Sequence, residues 1–238
     1  MLHFHIITLF PDSIEVYLSS SILGRARAKK LIKISYYDPK RFAVGKHKRV
    51  DQRPYGGGPG MVLEPTAMLR AATAAINKVA LSRRRRLRPG GVASGSIVSG
   101  QTRSIEKIFF TTDGVQFDEE MAKRLSKKKD ILLITGRYEG VDARVAKILK
   151  AKSVTVGPYV LTGGELPAAL VVDAIARFIP GVLGKIESLE RSRVSSPEVY
   201  TRPETLVWKG KQYKVPAVLR SGHHAKIREW KKGVFDNS

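Results

Sequence analysis

Three glycine-bearing segments hold the residues whose types and spacing suit chemistry: PYGGGPGM (Pro54 to Met61), GRYEG (Gly136 to Gly140) and VGPYVLTGGELP (Val156 to Pro167). Glycine permits positive φ and lets backbone N–H groups approach a ligand closely. One such loop reads as a tight turn; three in one chain shift the balance towards a ligand held by backbone. None fits a nucleotide-phosphate template, since no G-x-G-x-x-G opens a helix and no G-x-x-x-x-G-K-[ST] occurs. A Rossmann dinucleotide site and a P-loop NTPase are thereby disfavoured. Glu139 lies between Gly136 and Gly140 and reads, on its residues alone, as a helix-start acid. Asp173 and Arg177 stand four residues apart, a spacing that allows an ordinary helix-surface ion pair of about 0.3–0.5 kcal/mol. His223 and His224 are too isolated to read as a metal site, so no metal ligands are assigned.

Charge narrows the partner. The chain has 238 residues with 43 Lys+Arg against 21 Asp+Glu, a formal net charge of +22. That excess goes far beyond what solubility requires and points to a polyanion; RNA, DNA and anionic lipid all satisfy it. The basic residues come in blocks, at Arg25 to Arg53, Arg83 to Arg88, Lys123 to Lys129 and Arg202 to Lys232. Four blocks with few compensating acids read as a phosphate-tracking surface. There is no cysteine, which excludes a disulfide framework, a thiolate metal site and a catalytic thiol, and suits a reducing intracellular compartment, read as the cytoplasm. No stretch reaches the ~18 apolar residues of a membrane span, and Met1 to Phe10 carries histidines where a signal peptide carries Lys or Arg.

The elements that must position these residues follow from pattern. Leu2, Phe4 and Ile6 alternate with His3, His5 and Ile7 as in a strand. Asp12 and Glu15 make a capping-box signal, predicting a helix from Ser13 that turns Ile14, Tyr17 and Leu18 inward. Ile131 to Ile134 predicts a buried strand. Leu166 to Ile179 predicts a helix with Leu170, Ala174 and Phe178 at helical spacing, Pro167 in its first turn and Pro180-Gly181 after its end. Alternating strands and helices give an α/β domain over 1–183. Ser82 to Arg103, rich in Arg, Gly and Ser, reads as a long functional or disordered loop. Residues 184–197 (GKIESLERSRVSSP) read as an interdomain linker, and 198–238 as a piece too small for its own core.

In order and spacing, TLFP (Thr8 to Pro11), SSSILGRAR (Ser19 to Arg27), Lys46-His47, VDQRPYGGGPGMV (Val50 to Val62), GRYEGVDARV (Gly136 to Val145), VGPYVLTGGELPA (Val156 to Ala168), DAIARFIPGVLG (Asp173 to Gly184), YTRP (Tyr200 to Pro203) and VPAVLRSGHH (Val215 to His224) resemble the bacterial tRNA (guanine-N1)-methyltransferases of the TrmD family. The resemblance runs from about Leu2 to Trp230.

It implies a SPOUT-type parallel sheet with a deep trefoil knot, a small mainly helical C-terminal domain and an obligate homodimer. The implied cofactor is S-adenosylmethionine, bent within the knot loops and held by Gly136, Tyr138, Glu139, Val156, Gly157, Pro158, Tyr159, Val160, Leu161, Gly163, Gly164 and Pro167, with Thr111 and Thr112 at the pocket rim. A magnesium ion near Glu139 is also suggested. The implied partner is tRNA rather than DNA, contacted by Arg25, His47, Asp51, Tyr55, Gly57, Gly58, Pro59, Gly60, Met61, Asp173, Arg202 and His223. The implied reaction is methyl transfer to N1 of the guanine 3′ of the anticodon, position 37. Arg177 matches the arginine that stabilises the deprotonated base. The family's linker aspartate is replaced by Ser192, which leaves Glu190 as the nearest carboxylate for a base. Gln52, Thr111 to Gly114 and Pro158 also depart from the family pattern, and 198–238 is a shortened tRNA-binding region. A homologue that binds tRNA or rRNA with impaired catalysis, or a SPOUT methyltransferase with another RNA target, is the alternative.

Overall fold

The computed structural model of the chain describes residues 1–45, 47–86, 105–183 and 198–233. It divides into a unit of Met1–Val182 and a second of Leu183–Ser238. The first is built on a five-stranded sheet in which β1 (Leu2–Ile7), β2 (Ile32–Tyr37), β5 (Glu106–Gln116), β6 (Asp130–Ile134) and β7 (Lys152–Thr155) run in the order β2-β1-β6-β5-β7. Every pairing is parallel. A fully parallel sheet needs helices on both faces. One face carries α1 (Asp12–Leu18), α2 (Ser21–Ala28), α4 (Glu119–Ser126) and α6 (Glu165–Ala176), packed on Phe4, Ile6, Ile131 and Leu133. The other carries α3 (Pro65–Arg86) and α5 (Ala143–Leu149), packed on Ile7, Leu132 and Ile134. Each of these fully buried aliphatic or aromatic side chains contributes about 1.5–3 kcal/mol.

The strand expected from the alternation at Leu2 to Ile7 is β1, an interior strand between β2 and β6 with both faces covered. His5 is 0% exposed, like Phe4, Ile6 and Ile7, because helices cover both sides. The hydroxyl of Tyr37 lies 3.1 Å from His5 Nδ1, and Asp130 Oδ1 lies 3.3 Å from His5 Nε2. Burial, then the neighbouring His5 and Lys33, lower the His3 imidazole to about 3, so it is neutral near pH 7.

Three sequence-level expectations shift. The first helix begins at Asp12, and no side chain caps its N-terminus. Ile14 and Leu18 are buried, whereas Tyr17 faces outward and donates its hydroxyl proton to Asp173 Oδ2 at 2.5 Å. Arg83 to Arg86 continue α3 instead of opening a loop, since an alanine-rich helix propagates readily into arginine. The rest of the basic loop, 87–103, lies outside the described residues, as does the linker 184–197. In α6 the buried side chains are Pro167, Ala168, Ala169, Val171, Val172, Ile175 and Ala176. Leu170 belongs to the opposite, exposed face with Leu166.

The second unit holds a hairpin of β8 (Thr205–Trp208) and β9 (Lys211–Lys214), followed by α7 (Ala217–Arg220) and α8 (His224–Gly233). Lys209 and Gly210 turn the hairpin with φ of +50° and +75°, the pattern of a type I′ turn. The hairpin was not foreseen in a region expected to be mainly helical. Among the described residues, no helix is long and apolar enough to cross a membrane.

Candidate active site at the carboxyl edge of the sheet

In open parallel sheets, ligands bind outside the carboxyl ends of the strands, where the strand order changes direction. Here that point lies between β1 and β6. The loops leaving it are Thr8 to Pro11 after β1 and Thr135 to Gly140 after β6, with Val156 to Gly164 after β7 beside them. Two of the three glycine segments therefore occupy the place where this topology puts a ligand.

Backbone hydrogen bonds join these loops. Gly164 N donates to Gly136 O at 2.8 Å, and Arg137 bridges Gly163. A Cβ at Gly164 would lie 2.8 Å from Thr135 Cα and 2.9 Å from Gly136 N, so only glycine permits this approach. A Cβ at Gly163 would lie 2.6 Å from Arg137 Nε and 2.7 Å from Glu165 Oε2. The third segment joins from the hairpin of β3 (Asp51–Gln52) and β4 (Val62–Leu63). Glu139 N donates to Met61 O at 3.0 Å, and Leu63 N to Gly140 O at 2.9 Å. The Glu139 side chain covers Gly60, where a Cβ would meet it at 2.6 Å. Gly57 and Gly58 have φ of +81° and +109° with open space where a side chain would project.

Of the expected cofactor residues, Gly136, Tyr138 and Glu139 fall in the loop after β6, Val156 to Leu161, Gly163 and Gly164 in the loop after β7, and Pro167 in the first turn of α6. The Tyr159 ring folds back over Gly157, and its hydroxyl donates to Val156 O at 3.3 Å. Thr111 and Thr112 lie in an irregularity of β5, where the pairing with β7 jumps from Phe110 to Val115. Thr111 Oγ1 donates to Asp113 Oδ1 at 2.5 Å. Pro158, Tyr159, Val160 and Leu161 are exposed, Pro167 is buried, and Tyr138 is exposed with φ of +58°.

Of the expected RNA contacts, Arg25, His47, Tyr55, Gly57, Gly58, Pro59 and Gly60 are exposed, while Met61, Asp51 and Asp173 are half-buried. Arg177 stands exposed at the carboxyl end of α6, its backbone N donating to Asp173 O at 3.2 Å. The Asp173 bond raises the Tyr17 hydroxyl above its ordinary value. Glu190 and Ser192 lie outside the described residues. Arg202 and His223 are exposed on the second unit.

Glu165 lies in the Val156 to Pro167 segment, and the sequence reading passes over it. Although 3% exposed, it accepts from Thr8 Oγ1 at 2.8 Å and places Oε2 2.9 Å from Arg137 Nε. Both atoms of that ion pair are buried, yet the N–H direction makes no hydrogen bond. At 2.9 Å between buried atoms the interaction is an ion pair held by charge more than by an aligned hydrogen bond. The Arg137 guanidinium stacks 4.7 Å from the Phe10 ring centroid. Glu165 therefore ties together the loops after β1, β6 and β7. Removing one member of a buried ion pair costs about 3 kcal/mol. Glu165→Ala is expected to lose about that much in urea unfolding and to weaken cofactor-product binding at least tenfold by calorimetry. Glu165→Gln, which still accepts from Thr8, is expected to lose less.

A parallel α/β sheet with glycine loops stitched together at its carboxyl edge places a candidate ligand site where such sheets hold one, and a net charge of +22 suits a polyanionic partner. The model of the family tRNA (Guanine-1)-methyltransferase TrmD matches residues 2–235, so the chain belongs to that family. Relatives called tRNA (guanine-N(1)-)-methyltransferase include one from Lachnoclostridium phytofermentans, 39% identical over 97% of this chain and 86% of the relative. Others come from Psychromonas ingrahamii, 40% identical over 95% and 84%, and Clostridioides difficile, 36% identical over 97% and 91%.

Proposed function

We propose that this chain transfers the methyl group of S-adenosylmethionine to N1 of guanine 37 of tRNA, as a homodimer with a deep trefoil knot at the glycine loops. The tRNA (guanine-N1)-methyltransferase activity follows from the family. The close passage of Gly163-Gly164 across Thr135 to Arg137 carries the reading for this chain. It supports a threaded backbone cradle in place of a phosphate loop. Exposed Val16 on α1 and Leu166 and Leu170 on α6 support a second copy covering that face.

S-adenosylmethionine supplies an electrophilic methyl group on a sulfonium. Gly136, Tyr138 and Val156 to Leu161 would hold its adenine and ribose through backbone groups, and Glu139 would serve as a counter-charge or as a magnesium ligand. Guanine N1 carries a proton near neutral pH, so its lone pair must be exposed by a base, a contribution of roughly 10²–10⁴ in rate. Glu190 accepts that proton, because a serine hydroxyl at position 192 is no base near pH 7. The resulting negative charge, largely at O6, is stabilised by Arg177. Lysine and arginine contacts to phosphate position the tRNA but do not select the base; selection belongs to the pocket that receives the flipped guanine.

Glu190→Gln tests the proton acceptor. Single-turnover methyl transfer is expected to fall about 10²-fold or more at neutral pH, with binding of cofactor product unchanged. An unchanged rate removes Glu190 from the role, and an inactive wild-type chain that still binds tRNA supports the impaired homologue.

A further inference from the structure

At the amino edge of the sheet, opposite the glycine loops, three potential metal ligands converge. His3 and His5 are two apart on β1 and share a face. The parallel register sets His3 beside Asp130 of β6, which brings the carboxylate onto that face. The imidazole centroids lie 3.8 Å apart. Asp130 Oδ1 is 3.3 Å from His5 Nε2 and 4.0 Å from His3 Nδ1, and the three ligand atoms fall within 4.8 Å of one another.

A tetrahedral zinc ion with bonds of about 2.0–2.1 Å holds its donors about 3.3–3.4 Å apart. One edge already has that length, and the others close by small side-chain rotations. The outward nitrogens are engaged as well: His3 Nε2 meets Ser35 Oγ at 2.9 Å and His5 Nδ1 meets the Tyr37 hydroxyl at 3.1 Å. Each ring thus turns one nitrogen to a β2 hydroxyl and the other to the shared carboxylate. This is how outer-shell bonds fix imidazoles around a metal. The side chains of His3 and Asp130 remain 13% and 14% exposed, which leaves a route for an ion and a fourth, water ligand.

We propose that His3, His5 and Asp130 bind one divalent transition-metal ion of the zinc class, cross-linking β1 to β6 at the amino edge of the sheet. Two imidazoles and a single carboxylate select zinc, cobalt or nickel over magnesium or calcium, which require more oxygen ligands. Lys33 and Lys78 lie close enough to act on His3 electrostatically, so they weaken the site without occupying it. The ion ties strands together and takes no part in methyl transfer.

Cobalt titration of tag-free, full-length protein tests this. One equivalent of Co²⁺ is expected to produce the visible absorption of a tetrahedral nitrogen–oxygen site, lost on adding Zn²⁺, while Zn²⁺ raises the thermal midpoint. His3→Asn should abolish the absorption, and the paired change His223→Asn and His224→Asn should leave it intact. Ser35→Ala, which removes the partner of His3 Nε2 and no metal ligand, should keep the fold by circular dichroism and weaken Co²⁺ about 10- to 100-fold. Absent absorption in the wild-type chain, absorption surviving His3→Asn, or absorption lost with the His223 and His224 changes overturns the site. Unchanged affinity in Ser35→Ala would also count against it.

Discussion

Arg177→Ala is expected to lower the rate of methyl transfer about 10²- to 10³-fold in single turnover while leaving the affinity for S-adenosylhomocysteine unchanged. Those magnitudes are typical for removing one donor aimed at charge that develops in a transition state. The position supports the role. Arg177 follows the last residue of α6, the helix whose first turn carries Glu165 and is anchored at the loop junction. Its side chain stands exposed, so truncation opens no cavity and the fold should persist. Arg177→Lys keeps the charge but loses the planar fork of the guanidinium, and under the proposed role should recover only part of the rate. A loss of cofactor-product binding in Arg177→Ala would assign the residue to binding instead.

Gly164→Ala is expected to abolish cofactor binding and destabilise the first unit. The added Cβ meets the Thr135 Cα and the Gly136 backbone nitrogen below 3.0 Å. Neither atom belongs to a flexible side-chain end, so the two loops must part. Separation breaks the hydrogen bond from Gly164 N to Gly136 O and misaligns Glu165 with Arg137 and Thr8. Overpacking against fixed backbone costs typically 1–3 kcal/mol, and a buried ion pair is strained besides. A loss of about 3 kcal/mol in urea unfolding is expected, with calorimetry detecting no uptake of S-adenosylhomocysteine at concentrations that saturate the wild type. Gly58→Ala provides the contrast. A side chain there meets open space and faces only the cost of positive φ, so it should bind the cofactor product and fold nearly as before.

What could be read from the sequence was set by distance along the chain. The glycine loops, the strand Ile131 to Ile134 and the helix behind Pro167 are local patterns, and each stands where its residues indicate. The burial of His5 was not legible, because an alternating strand looks the same whether one face or both are covered. That cover comes from α3, far along the chain. In α6, Leu170, Ala174 and Phe178 satisfy helical spacing, but spacing alone does not rank burial: Ala174 and Phe178 pack partly on the core, Leu170 is exposed, and alanines and valines make the closest packing. Glu165 carried a readable signal, a carboxylate between a Gly-Gly pair and a helix-start proline. Its partners Thr8 and Arg137 lie 157 and 28 residues away, so the clamp exists only in the fold. The approach of His3 and His5 to Asp130 spans over 120 residues and had no sequence signal. Glu190 and Ser192 rest on the family resemblance alone.

The most direct test of the central claim is methyl transfer from labelled S-adenosylmethionine to matched tRNA transcripts carrying guanine or adenine at position 37, with the modified nucleoside identified after digestion. The account predicts 1-methylguanosine from the guanine transcript and no label in the adenine transcript. Label on another atom or at another position would contradict it, as would no transfer by a protein that still binds S-adenosylhomocysteine and tRNA.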